Sequence, residues 1–136
     1  MHRYRDLEVW QRSMDLVMAT YRCTGKYPAS ERYGLVSQTR RAAVSVPANI
    51  AEGQGRAQAG EFLNQLSVAR GSLQELETLF ILATRLKYLG EAEVESLLVA
   101  ADQISRMLTG LRKAVERKRR PSKSAGAATS KELRSR

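Results

Sequence analysis

The side chains that most often do chemistry are scarce in this chain. It has one histidine, His2, and one cysteine, Cys23. A histidine at the start of the chain and one distant thiol cannot supply the ligands of a usual zinc site. Glu-x-x-His pairs, which hold di-iron centres inside helical bundles, cannot be written anywhere in it. Gly53-Gln54-Gly55 lacks the rest of a dinucleotide fingerprint, and no Walker-type glycine loop occurs. Without an internal histidine, general acid–base work falls to carboxylates or lysine. Glu75 and Glu77 stand near each other, but two residues apart on a helix they point in different directions. The inventory predicts a protein that binds rather than catalyses, with no metal and no cofactor.

Cations are the more informative residues. Arg40-Arg41 and, further on, Arg56 offer guanidinium forks that match phosphate oxygens. The plainer alternative is a solvated face, or ion pairs with acids such as Glu52. Asn49 and Glu52, after Pro47, either line a binding surface or satisfy backbone groups that a proline kink releases. A second basic run holds Arg112, Lys113, Arg117, Lys118, Arg119 and Arg120. It reads either as an electrostatic arm for nucleic acid or as a solubilising terminus. It carries no aromatic residue for base stacking, so binding through it is expected to discriminate weakly among sequences.

Four segments of helical period position these residues. Leu7, Trp10, Met14, Val17 and Tyr21 recur at steps of three and four, ahead of a stop at Gly25 and Pro28. Ser30 is placed to cap a second helix whose inner face carries Leu35, Ala42, Val46 and Ile50. Pro47 interrupts it, predicting a kink near Val46 or a restart capped by Ser45. Gly53 and Gly55 close the segment. In the third, Phe62, Leu66, Ala69, Leu73, Leu76, Phe80 and Ala83 step by four and three without a miss. Leu79, Leu82 and Leu86 widen that stripe, which predicts burial on more than one side and hence self-association. Gly71 inside it is read as a site of close helix packing. Gly90 ends the third segment. The fourth carries Val94, Leu97, Ala101, Ile104, Leu108, Leu111 and Val115. Its acids, Glu91, Glu93 and Glu95, sit at the start and its bases at the end, as the helix dipole favours.

This pattern predicts an all-α, antiparallel up-down-up-down four-helix bundle over residues 1–118, with the second helix kinked near Pro47. Residues 119–136 are polar, small and basic, and read as a disordered tail. The 136 residues carry 23 Lys and Arg against 14 Asp and Glu, a net charge of +9. Six bases and one acid of that balance lie from Arg119 onward, so over half of the excess is on the tail. A balance this basic favours anionic partners, nucleic acid above all. The charged start is no signal peptide, and no run reaches the roughly 18 apolar residues of a membrane span. A lone cysteine fits a reducing compartment, and a cytoplasmic location is expected.

Three stretches, Tyr4–Leu16 (YRDLEVWQRSMDL), Tyr33–Arg56 (YGLVSQTRRAAVSVPANIAEGQGR) and Glu61–Ala83 (EFLNQLSVARGSLQELETLFILA), carry a resemblance. The chain resembles, over about residues 4–115, the four-helix bundle proteins associated with intervening sequences of large-subunit ribosomal RNA genes. The resemblance implies an antiparallel bundle assembled as a ring-like homopentamer. It also implies kinship in architecture with the accessory protein of diversity-generating retroelements, which is thought to bind nucleic acid and a reverse transcriptase. No catalytic residue carries over. Gln38, Arg40, Arg41, Pro47, Asn49, Glu52, Gly53 and Arg56 carry over as family-typical positions. Ala57-Gln58-Ala59-Gly60 departs from the Ser-type cap of relatives, leaving Gly60 as a weak substitute. The expectation is an RNA-binding homo-oligomer, with a scaffold or adaptor for a polymerase-type protein as the alternative.

Overall fold

The computed structural model describes the backbone of residues 3–134 and the side chains of residues 3–119. Four helices make up the fold: α1 Glu8–Thr24, α2 Leu35–Gln54, α3 Ala59–Arg85 and α4 Glu91–Arg134. Short 3-10 turns at Tyr4–Asp6 and Ala29–Glu31 precede α1 and α2. No strand occurs among the described residues. Each of α1 and α3 packs against both α2 and α4, so the four surround one core. Phe80, Ile50, Leu66, Leu73, Leu76, Ile104 and Leu108 form its driest part. No helix among the described residues is long and apolar enough to cross a membrane.

The stripes predicted for α3 and α4 face this core, with Phe62 and Leu111 at its edge. The predicted stripe of Leu7, Trp10, Met14, Val17 and Tyr21 does so only in part: Leu7, Trp10 and Val17 pack at the core's edge, while Met14 and Tyr21 are exposed. The buried residues of α1 are Val9, Ser13, Leu16, Thr20, Cys23 and Thr24, one step round the helix from the large apolar set. Burial of hydroxyls is cheap here because each donates to the carbonyl four residues back. Ser13 Oγ reaches Val9 O, Thr20 Oγ1 reaches Leu16 O and Thr24 Oγ1 reaches Thr20 O, all at 2.7 Å. Met14, Met18 and Tyr21 are left exposed.

Helix ends also differ from expectation. Ser30 lies within the 3-10 turn and does not cap α2. The amide of Leu35 instead donates to Glu31 Oε1 at 3.1 Å, while Glu31 Oε2 accepts from the Tyr88 hydroxyl at 3.0 Å. One carboxylate thus joins the start of α2 to the α3–α4 turn. That turn does not wait for Gly90. Lys87 takes a left-handed φ of 69°. The Tyr88 amide reaches Ala83 O, and that of Lys87 reaches Thr84 O, the Schellman pattern. Gly90 opens α4 by accepting from the Val94 amide. Gly60 does not cap α3; Gln58 precedes the helix and offers no side-chain bond.

α2 runs unbroken through Pro47, so there is no restart at Ser45. The Ser45 hydroxyl bonds that of Ser72 on α3 at 2.7 Å, and Asn49 Nδ2 donates back to Ser45 O at 2.8 Å. α4 continues as helix past Lys118, although Val115 is its last buried side chain among those described. The backbone of α4 runs as helix to Arg134 across the stretch expected to be a disordered tail, residues 119–136, and the side chains from Arg120 on lie outside the described residues.

The glycine of close approach is Gly53, not Gly71. A Cβ on Gly53 would lie 2.8 Å from both Phe62 Cδ1 and Gln65 Cβ, whereas one on Gly71 would meet nothing within 4 Å. Gly71 therefore only weakens its helix. Gly71→Ala is expected to stabilise the protein by about 0.5–1 kcal/mol, and Gly53→Ala to destabilise it by about 1–3 kcal/mol. Chemical denaturation of both variants checks the pair, and equal shifts would contradict it.

Candidate nucleic-acid interface

Arg40, Arg41 and Arg56 do not form one surface. Arg40 lies on α2 while Arg56 follows its end at Gln54, and the fourteen residues of helix from Arg40 to Gln54 alone span about 21 Å at 1.5 Å per residue. Arg40 is half-buried and committed to α1. Its guanidinium stacks 4.3 Å from the Tyr21 ring centre, Nε donates to Thr24 Oγ1 at 2.9 Å, and Nη2 to Tyr21 O at 3.3 Å. It thereby serves carbonyl and hydroxyl groups in the last turn of α1, where a cation is also favoured by the dipole. Arg41 is exposed and pairs with no carboxylate among the described residues. A shallow depression beside it carries Tyr21, Val36 and Val44.

Asn49 and Glu52 each contact a residue four positions away. Asn49 bonds Ser45, and Glu52 Oε2 meets Arg56 Nη2 at 2.8 Å on the helix surface.

The bases of α4 divide between two directions. Arg112 Nη1 donates to Ser67 Oγ on α3 at 2.6 Å and lies 4.0 Å from Glu116. Lys113 and Arg117 are exposed, four residues apart on the face turned from Val115. Lys118 and Arg119 follow Val115 by three and four residues and so return to the core side. There they meet Arg56. These three cations border a cavity of about 440 Å³ at the end of the bundle, floored by Leu7, Phe62, Leu111 and Val115. Arg119 lies across the first turn of α3, its Nη2 3.7 Å from where Gly60 would carry a Cβ. No carboxylate among the described residues pairs with Lys118 or Arg119. The sequence could place these bases on helices, but only the packing of α2, α3 and α4 brings them together. The cavity itself left no signal in the order of residues.

The remaining ionisable groups carry no reactive arrangement. Burial first, and then Glu93, raises the Cys23 thiol above its usual range, which leaves it an inert core residue. Glu77 is raised by partial burial and by Asp102 across the α3–α4 contact. Glu75 instead accepts weakly from Gln38 at 3.5 Å, so the two acids do turn apart. Among the described residues no three His, Cys, Asp or Glu side chains group as a metal site would require.

These features define a small all-helical bundle with Lys118 and Arg119 unpaired by any described carboxylate at one end. The chain belongs to the 23S rRNA-intervening sequence protein family, whose model matches residues 5–110. It is similar to the crystal structure of a protein of unknown function from the S23 ribosomal protein family of Bacteroides thetaiotaomicron VPI-5482. The TM-score is 0.72 at 22% identity, over 77% of this chain and 95% of that one. The two share the fold. No curated protein matches the chain.

The two neighbouring arginines should separate by experiment. Arg40→Ala removes two hydrogen bonds and a stacked ring and is expected to lower stability by about 1–2 kcal/mol. Arg41→Ala should stay within about 0.5 kcal/mol of the parent. Thermal unfolding of each reads the difference.

Proposed function

We propose that this protein is a non-catalytic homo-oligomer that binds RNA through its basic surfaces. The convergence at one end of Lys118 and Arg119, which no described carboxylate pairs, carries the reading, with Arg56 and its partner Glu52 beside them. Cations without carboxylate partners are costly to crowd together, and phosphate relieves that cost. Arg41, Lys113 and Arg117 extend the positive field along the bundle. Work in the cytoplasm accords with such a partner.

The pairing of residues supports an antiparallel up-down-up-down course. Arg12 meets Gln103 and Lys26 meets Glu93, so numbers rise along α1 while they fall along α4. Gln38 with Glu75, Ser45 with Ser72 and Gly53 with Gln65 run the same way for α2 and α3. A bend of α2 near Pro47 fits the hydrogen bond that the ring withholds from Ala43.

Two unlike faces support self-association. The outer side of α4 sets Val99 among Glu91, Glu95 and the Asp102–Arg106 pair, a net negative rim. The α1–α2 side sets Met18, Tyr21 and Val44 beside Arg41. Opposite charge around apolar centres suits a head-to-tail contact, which closes into a ring when the rotation allows. A pentamer is the number that the family likeness suggests. Sedimentation of the full chain at micromolar concentration should give several chain masses, and Val99→Asp should return the monomer.

The same exposed Met18–Tyr21–Val44 band favours a second reading, a scaffold or adaptor for a polymerase-type protein such as a reverse transcriptase. RNA binding decides between them. Lys118→Glu with Arg119→Glu is expected to weaken binding of a structured RNA at least tenfold near 0.15 M salt. It should also flatten the salt dependence by about two in slope. An unchanged affinity, or RNA binding that vanishes entirely at that salt in the parent, would favour the adaptor.

A further inference from the structure

The cavity at the bundle end combines two chemistries that do not belong together in a solvated surface. Its floor is apolar, with Phe62 half-buried there and its far side pressed toward Gly53. Its rim is cationic on the side where Lys118 and Arg119 stand. Bulk water suits the rim but not the floor. A purely apolar filler suits the floor but strands two charges at the edge of a low-dielectric space. The occupant that satisfies both is flat and apolar over most of its body and anionic at one end.

Size narrows the class further. About 440 Å³ lies within the range of small-ligand sites, roughly 300–1,000 Å³, and far below what a double helix needs. The anionic end has a defined place. Arg119 spans the first turn of α3, and no side chain caps that turn. A guanidinium and the positive end of a 27-residue helix thus address one point.

We propose that the cavity receives one unpaired nucleotide of a bound RNA, its base on Phe62 and Leu111 and its phosphate held by Lys118 and Arg119. The inference rests on the RNA-binding reading above and adds what the bundle end selects: bases outside a duplex. Paired bases keep their faces stacked and cannot enter. A loop or bulge nucleotide can swing out and exchange its neighbour's ring for Phe62. The phosphates on either side remain within reach of Arg56.

The test uses the full chain and two RNAs of equal phosphate number near 0.15 M salt. One is a hairpin with 2-aminopurine in its loop, the other a blunt duplex. The hairpin is expected to bind about tenfold more tightly, with a change in 2-aminopurine fluorescence. Ala114 lines the cavity wall, so Ala114→Leu pushes three carbons into the space where the base would lie and leaves every charge in place. That variant should bring the hairpin down to the affinity of the duplex, which should not itself change. Lys118→Met, which keeps the stem and removes the charge, should weaken the hairpin more than the duplex. Equal binding of the two RNAs by the parent, or a preference that survives Ala114→Leu, would overturn the inference and leave the RNA-binding reading standing. Failure of the parent to bind either RNA would overturn both. A preference that survives Ala114→Leu while the sedimenting mass falls would show that the cavity seats a second copy of the chain, and would overturn it too.

Discussion

The approach of α2 to α3 at Gly53 sets the geometry of one whole end of the molecule. No side chain fits there, because a single carbon would fall 2.8 Å from both Phe62 and Gln65. The close contact holds Phe62 at the mouth of the bundle and ties the last turn of α2 to the first turn of α3. The chain between them, Gly55 to Gln58, is then short and tight. Arg56 has little freedom but to stand at that end, and the uncapped start of α3 stands beside it. α4 reaches the same place with Lys118 and Arg119 because the core fixes Leu108 and Val115 below them. The cationic cavity is a consequence of this packing and not a separate feature of the surface.

The opposite end is fixed by a carboxylate. Glu31 caps α2 with one oxygen and receives the Tyr88 hydroxyl with the other. Tyr88 in turn lies 5.4 Å, centre to centre, from the buried Tyr27. Hydrogen bonding to Glu31 first, then some loss of water, raises the Tyr88 hydroxyl above its usual range, so it stays a donor at all ordinary pH. Nearby, Lys26 and Glu93 pair at 2.8 Å on the surface, a contact worth little by itself. At this end Glu31 and Tyr88 satisfy each other, while the buried Tyr27 hydroxyl has no partner among the described residues.

What the sequence disclosed follows from which forces are local. The stripes of α3 and α4 are apolar at nearly every inward position, and Leu66, Leu73, Ile104 and Leu108 are buried as their period requires. α1 escaped because hydropathy counts Ser13, Thr20 and Thr24 as polar, while the helix supplies each hydroxyl with a carbonyl one turn back. Its larger residues, Met14, Met18 and Tyr21, were free to face outward. Glycines misled for a related reason. Gly71 and Gly53 look alike in a sequence, and only the neighbour across the helix pair tells that one is needed and the other is not. The cap by Glu31 and the left-handed Lys87 rest on partners within five residues, but neither Glu nor Lys is a residue type that marks such a position. Individual site residues were legible as bases on helices. Their grouping was not, since Arg56 joins Lys118 and Arg119 across three helices and parts from Arg40 on its own.

The fate of the cations explains why one end, and not the whole surface, is the place to look. Arg12, Arg56 and Arg106 each have an acid four residues away on their own helix, at 2.8–3.2 Å. Arg40 is spent on carbonyl, hydroxyl and ring, and Arg112 on a serine. Such neutralised charges contribute little field beyond about 8–10 Å in physiological salt. Lys118 and Arg119 differ in two ways: no described acid answers them, and an apolar floor lies beneath. A low-dielectric floor lets their field extend where water would damp it. Unanswered charge and unfilled apolar space coincide at this end, and neither property alone would suit it to the proposed ligand.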